Sequence, residues 1–396
     1  MSLLRILVNA STITVGGGVQ AAVSFVEYAT KIKYSGIELA FIVSPAVEAA
    51  LPESLRKDYR FVFVKTSPAS LYYSLKMKRE ILQIEKDFKP DLVYSIGFPS
   101  YVRFRSPEVG RYTNGWEICN FEIAYSLLPL RQRVLRLGKS WYRLRWAKNA
   151  TYFETQTEIA KKGIIHKLKV DPNNILVLPN SVNPRFINET ERVNEDFIVN
   201  DPPRIFCLAA AYRHKNFEII PTVAKHLLEK FNMPCLFILT LPDNSDVWQR
   251  VSKSAKMLNI SSIIKNIGPL TLDECVAEYK KADCLFLPTL AEIFSATYLE
   301  AMAMQVPIVT TDLDFAHEVC KDAALYYSPL SATEAAKALH LVLTKPELRE
   351  ELVHKGRQRL KEFPDPDTKH RILMDWLIEL AQRSRYCEAA KTGGNP

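Results

Sequence analysis

Short apolar runs recur along the whole chain, and each is followed by a longer stretch with helical spacing. In the first half the runs are Arg5 to Asn9, Ile37 to Ser44, Phe61 to Val64, Leu92 to Ser95, Ala150 to Phe153 and Ile175 to Leu178. In the second half they are Ile205 to Ala209, Cys235 to Leu241, Ile263 to Ile267, Cys284 to Leu287, Val306 to Thr311 and Ala324 to Pro329. Runs this short and this apolar read as strands buried on both faces, and a helix between successive strands makes the sheet parallel. A chain of 396 residues exceeds the size at which one core keeps growing, so two α/β domains are expected. The polar run 188–203 reads as the linker, with a first domain over 1–187, a second over 204–364, a helix over 365–385 and a tail over 386–396.

The segment from Pro288 to Met302 carries the chemistry. It follows the apolar run Cys284 to Leu287 and opens an Ala/Met/Leu-rich helix, so a strand, a loop and a helix start are expected here. Free backbone N–H groups and the positive end of the helix dipole suit a phosphate at such a place. Glu292 lies in the loop and Glu300 about one turn inside the helix, so both can face one ligand. Two solvated surface glutamates are the plainer reading of that spacing.

Near the start, Gly16, Gly17 and Gly18 follow the first strand and precede the helical run Val19 to Tyr34. A strand, a glycine-rich loop and a helix begin a Rossmann-like unit. The spacing is neither G-x-G-x-x-G nor G-x4-G-K-[ST], which disfavours dinucleotide binding and Walker-type hydrolysis. Past the strand Leu92 to Ser95, a polar stretch holds Asn114, Trp116 and Glu117. Loops leaving strand carboxyl ends line the ligand crevice in open sheets, so these residues are candidates for contact with a ligand in the cleft; a turn with a partly buried Trp is the alternative.

The seven Cys are scattered without a C-x-x-C pair, which argues against a zinc module or disulfide framework and for a reducing compartment. No apolar run approaches the ~18 residues of a membrane span, and the N-terminal run reads as a strand rather than a signal peptide. The chain is expected to be cytoplasmic. Residues 1–200 hold 28 Lys+Arg against 19 Asp+Glu, and the remainder hold 24 against 25. The basic excess therefore sits wholly in the first half and calls for an anionic partner.

Its densest piece is Arg131 to Lys148, with an apolar stripe at Val134, Leu137, Trp141 and Leu144 and cations over most of the rest. Two readings stand. Such a helix can lie on an anionic membrane surface, with Trp at the interface, or it can pack its stripe on the sheet and leave a solvated basic face. Nucleic acid is disfavoured because no binding motif accompanies the charge.

Arg213, His214 and Lys215 follow the first strand of the second half, where an ammonium at a helix start can pair with a diphosphate. The capping boxes Thr271 to Glu274 and Ser331 to Glu334 are structural helix-start signals.

Glu292 and Glu300, with Phe294, Ser295, Ala296 and Thr297 between them, resemble the E-x7-E signature of family 4 retaining glycosyltransferases. The likeness extends to Gly268 and Leu270, similar to that family's Gly-x-Leu at the nucleotide base, to Pro179 through Asn183 at the domain crossing, and to Glu318 after the E-x7-E helix. It covers most of residues 1–385 and is specific over 284–329. It implies the GT-B fold, with two Rossmann-like parallel-sheet domains facing across a cleft and a C-terminal helix returning to the first.

The resemblance also implies transfer of a hexose from a nucleotide-sugar donor, a UDP- or GDP-sugar, to a saccharide or lipid-linked acceptor in bacterial surface-polysaccharide assembly. Glu292 would contact the donor sugar, Glu300 would hold the ribose, and the intervening amides with Lys215 would hold the diphosphate. Fixed cations and helix dipoles would replace a metal, so no cofactor is expected; an Asp312-x-Asp314 metal site is the weaker reading. The departing phosphate oxygen would take the acceptor's proton, leaving no need for a protein base. Two departures stand out. The family's Arg five residues before the Lys is Ala210 here, with Arg213 or His214 as its replacement, and the His usual in the first domain is missing, since none precedes His166. A nucleotide-sugar epimerase of the same fold, or a nucleotide-binding homologue without turnover, remain as rivals.

Overall fold

The computed structural model describes residues 3–14, 16–69, 74–188 and 199–392. It divides into two compact units. One comprises Met1–Cys119, Val134–Pro179 and Asp367–Pro396, and the other Asn120–Arg133 and Asn180–Pro366.

The first unit holds seven strands: β1 (Leu4–Ala10), β2 (Ile37–Val43), β3 (Arg60–Phe63), β4 (Leu92–Ser95), β5 (Glu108–Arg111), β6 (Tyr152–Thr155) and β7 (Ile175–Val177). They form one sheet in the order β3-β2-β1-β4-β5-β6-β7, and every pair is parallel. Side chains alternate across a strand, and β1 shows what that does. Ile6 and Val8 join one core with Phe25 and Val26 of the helix Gly17–Ile32 and with Met374, Leu377 and Ala381 of the helix Pro366–Thr392. Leu7 turns to the other face and meets Met77, Ile81 and Phe88 of the helix Ser74–Phe88. Both faces are covered, so the strands need no polar alternation, each fully buried side chain contributing roughly 1.5–3 kcal/mol.

The second unit holds β8 (Arg204–Cys207), β9 (Leu236–Leu239), β10 (Ile264–Asn266), β11 (Cys284–Leu287), β12 (Ile308–Thr311) and β13 (Ala324–Tyr327). The order is β10-β9-β8-β11-β12-β13, again parallel throughout. Ile205, Phe237, Cys284, Phe286 and Val309 pack with Val223 and Leu227 of one helix and Leu339 and Val342 of another. Two parallel-sheet α/β units are the fold class read from the alternation of apolar and helical runs.

One strand departs from that reading. Glu108–Arg111, which is not among the apolar runs, is β5, and its polar ends conceal it. Glu108 is buried and accepts from Ser95 Oγ at 2.6 Å, and burial pushes its carboxyl up to about 7. Arg111 pairs with Glu154 at 3.3 Å, whose other oxygen accepts from Tyr94 OH at 2.5 Å. Gly110 sits between them because a Cβ there would lie 2.4 Å from the Phe98 ring. The last helix extends to Thr392, past the expected boundary at 385. Most of the expected linker, residues 189–198, lies outside the described residues, as do 393–396 of the expected tail.

The basic helix spans Leu130–Ala147. Its stripe is not packed on the sheet: Val134 is 60% exposed, Leu137 60% and Trp141 65%. Arg143 turns inward to Glu117 at 2.7 Å and Arg136 lies 3.9 Å over the Trp116 ring, whereas Arg131, Lys139 and Arg145 are exposed. No helix among the described residues is long and apolar enough to cross a membrane.

Candidate active site

In an open parallel sheet the chain leaves adjacent strands in opposite directions at one place, and the crevice outside the carboxyl ends there binds ligands. In the second unit that place lies between β8 and β11, because β9 and β10 continue to one side of β8 and β12 and β13 to the other side of β11. The turn after β8 contains Arg213, His214 and Lys215. The loop after β11 contains Glu292.

These two turns are tied together. Lys215 Nζ is ion-paired with Glu292 Oε1, and both side chains are only 13% exposed. Leu290 N donates to the His214 carbonyl at 2.7 Å. Thr289, fully buried, has its hydroxyl 3.2 Å from Glu292 Oε1 and 3.4 Å from the same His214 carbonyl. Thr311 Oγ1 donates to the Thr289 carbonyl at 2.6 Å, which anchors the loop to β12. Behind it, Tyr298 OH meets Thr310 Oγ1 at 2.8 Å and Thr310 donates to the Leu287 carbonyl at 2.8 Å. The loop is therefore held from both sides before any ligand arrives.

The helix Ala296–Ala303 starts at the end of this loop, with Ser295 at the cap position and no side-chain cap bond. Ser295 is buried, Ala296 exposed and Thr297 partly buried, so the first-turn amides are available to an anion. The Phe294 ring meets Phe363 edge-on at 5.8 Å. One helical step further, Glu300 Oε2 lies 3.2 Å from Tyr279 OH. Burial pushes the Glu300 carboxyl up to about 7, against the Tyr279 hydrogen bond, which favours its ionised form. Gly268 and Leu270 leave β10 at the same edge of the sheet, Gly268 with φ +79° and Leu270 partly buried.

In the first unit the corresponding switch lies between β1 and β4. The glycine loop leaves β1 there. Gly16 has φ +68°, a conformation that suits glycine, Gly17 is exposed, and a Cβ on Gly18 would stand 3.2 Å from Ile13 Cγ2. The loop is joined to the one leaving β4 by Thr12 Oγ1 donating to the Gly97 carbonyl at 2.8 Å. Asn114, Trp116 and Glu117 follow β5. Asn114 accepts from Trp116 N at 3.2 Å. Glu117 is buried against Arg143 rather than open to solvent, and burial raises its pKa despite that cation.

Residues 188–359 match the family model described as glycosyl transferases group 1. This segment is similar to group 1 glycosyl transferases. Over 183 residues the chain is 25% identical to the O-antigen chain mannosyltransferase RfbU of Salmonella typhimurium, covering 46% of this chain and 48% of that protein. The chain thus spans about half the length of this curated relative. In three dimensions it is similar to a glycosyltransferase from Rickettsia africae, with a TM-score of 0.72 at 14% identity over 96% of this chain and 99% of that one. It is also similar to HepE of Anabaena, solved in complex with UDP and glucose, with a TM-score of 0.68 at 13% identity over 94% and 99%. At these identities the likeness shows the fold, which is GT-B.

Within the matched segment, Lys215 and Glu292 meet at the switch point, and Glu300 stands beyond the intervening helix start. Tyr279, Thr289 and Thr311 were not singled out from the sequence. The signal for Tyr279 was there: it lies on the apolar face of the helix Leu272–Lys281, and a buried tyrosine needs a partner for its hydroxyl.

Proposed function

We propose that the protein is a retaining glycosyltransferase that moves a hexose from a UDP- or GDP-sugar to a saccharide or lipid-linked saccharide acceptor during assembly of a bacterial surface polysaccharide. The observation that carries this reading is the meeting of Lys215 and Glu292 at the β8/β11 switch point, beside a helix start whose amides face the same loop. The name of the Salmonella relative supports an O-antigen role, and the HepE complex supports a nucleotide-sugar donor.

Cleavage of the donor leaves charge on the β-phosphate while the anomeric carbon becomes oxocarbenium-like. Lys215 and the amides of Phe294 to Thr297 would stabilise that charge, an effect for which a single fixed donor is typically worth ~3 kcal/mol. Glu292 would orient the sugar and Glu300 the ribose, and the departing phosphate oxygen would take the acceptor's proton. No metal is assigned to the step, so rates should be equal with and without a chelator.

The enzyme would work in the cytoplasm against the anionic inner face of the membrane. The exposed stripe Val134, Leu137 and Trp141, flanked by Arg131, Lys139 and Arg145, supports that placement. Incubation with UDP-, GDP- and ADP-sugars tests the whole reading. Transfer or slow hydrolysis with the anomeric configuration kept is expected; an isomerised sugar would make it an epimerase, and binding without turnover a nucleotide-binding homologue.

A further inference from the structure

The Tyr279 hydroxyl carries one proton and has two acceptors at nearly equal range. Glu300 Oε2 is 3.2 Å away and the Thr297 carbonyl 3.3 Å. The ring cannot move to choose between them, because it is fully buried and wedged edge-on against Phe206 at 5.0 Å and Phe186 at 5.8 Å. Only the O–H can rotate.

When Glu300 is ionised, Tyr279 donates to the carboxylate and the Thr297 carbonyl loses that bond. When Glu300 is protonated, its own O–H can donate to the Tyr279 oxygen, and the phenolic proton turns to the Thr297 carbonyl. Thr297 lies in the first turn of the helix whose amides are assigned to the diphosphate. The hydroxyl therefore reports the charge of one end of the donor site to the other.

We propose that Tyr279 is a positioning residue whose rotating hydroxyl couples the charge of Glu300 to the first turn of the helix Ala296–Ala303, and so sets selectivity for a ribose diol in the donor. This rests on the donor-site reading above. A ribose diol donates two hydrogen bonds and so favours the carboxylate, whose proton then leaves to solvent. Burial pushes the Glu300 carboxyl up to about 7, so donor binding near neutrality releases a fraction of a proton per site. A 2′-deoxyribose offers one donor fewer and releases less.

The test is calorimetry of UDP and GDP, and of their 2′-deoxy counterparts, binding to the full chain in two buffers of different ionisation enthalpy at pH 7. Glu300→Gln gives the proton count that belongs to the phosphates alone. Wild type is expected to release more protons than Glu300→Gln and to prefer the ribonucleotide. Tyr279→Phe removes the bond that favours the ionised carboxyl, so it is expected to release more protons than wild type and to lose roughly threefold to tenfold of the ribose preference. Tyr279→Phe matching wild type in both proton count and preference would overturn the inference and leave the donor site standing. Absence of any nucleotide binding by wild type would overturn both. Thermal unfolding of each variant shows that a changed count is not a loss of folded protein.

Discussion

Lys215 and Glu292 are paired with each other, although they sit in turns that follow different strands, β8 and β11. Each therefore sets the availability of the other. On the proposed function, a donor's diphosphate would compete with the carboxylate for one ammonium, and its sugar would meet a carboxylate already partly neutralised.

For Lys215→Ala the expected result is a fall in kcat of about a hundredfold to a thousandfold with a smaller change in KM, because the charge it is proposed to stabilise would develop in the transition state. Steady-state kinetics with the best donor checks it, and an unchanged kcat would remove Lys215 from the mechanism.

Glu292→Gln acts in the opposite direction on binding. With its carboxylate partner gone, Lys215 is released to the phosphates, so free nucleoside diphosphate should bind about fivefold tighter while transfer slows. Titration calorimetry beside a transfer assay separates the two effects, and weaker nucleotide binding in the variant would count against competition for the ammonium.

The exposed stripe of the helix Leu130–Ala147 can be tested apart from the chemistry. Leu137→Asp with Trp141→Asp should abolish flotation with anionic vesicles and reduce transfer to a lipid-linked acceptor, while leaving donor hydrolysis unaffected. Equal flotation of the variant and wild type would leave the stripe without that role.

His370 is buried among Phe25, Tyr28 and Tyr34, with ring centroids 5.0, 5.8 and 6.0 Å away. Burial pushes its imidazole down to about 4, against the attraction of Asp367. Because the unfolded chain takes up the proton near 6.5, stability is full above that pH and declines as pH falls towards 4, by on the order of 3 kcal/mol. The difference between wild type and His370→Phe in thermal unfolding should change across that interval and nowhere else.

Gly110 supplies a packing test in β5. A methyl there would lie 2.4 Å from the Phe98 ring, so Gly110→Ala should lower stability by about 1–3 kcal/mol. Phe98→Leu in the same background should recover part of the loss, measured by denaturant unfolding.

Much of this architecture was legible because parallel strands covered on both faces advertise themselves as apolar runs. The helix starts were equally plain: Thr271 and Glu274 form a complete capping box, and Ser331 accepts from Glu334 N as its spacing implies. At the site, Lys215 and Glu292 were legible by their places after strands, but their direct pairing was not, since sheet order is set by long-range packing. β5 was hidden for a physical reason. It buries Glu108 and pairs Arg111 with Glu154, and a strand that satisfies its charges internally looks like a loop in composition. Tyr279 escaped because a lone aromatic on an apolar face reads as core until its hydroxyl's partner is seen.

The helix Pro366–Thr392 places Met374, Leu377 and Ala381 against Ile6 and Val8. Residues far apart in the sequence thus share one hydrophobic interior. During synthesis this sheet must wait, with that face uncovered, until the helix Pro366–Thr392 has left the ribosome, while the intervening unit can complete its own fold first. A nonsense change ahead of this helix would for this reason damage a sheet whose strands were made long before it.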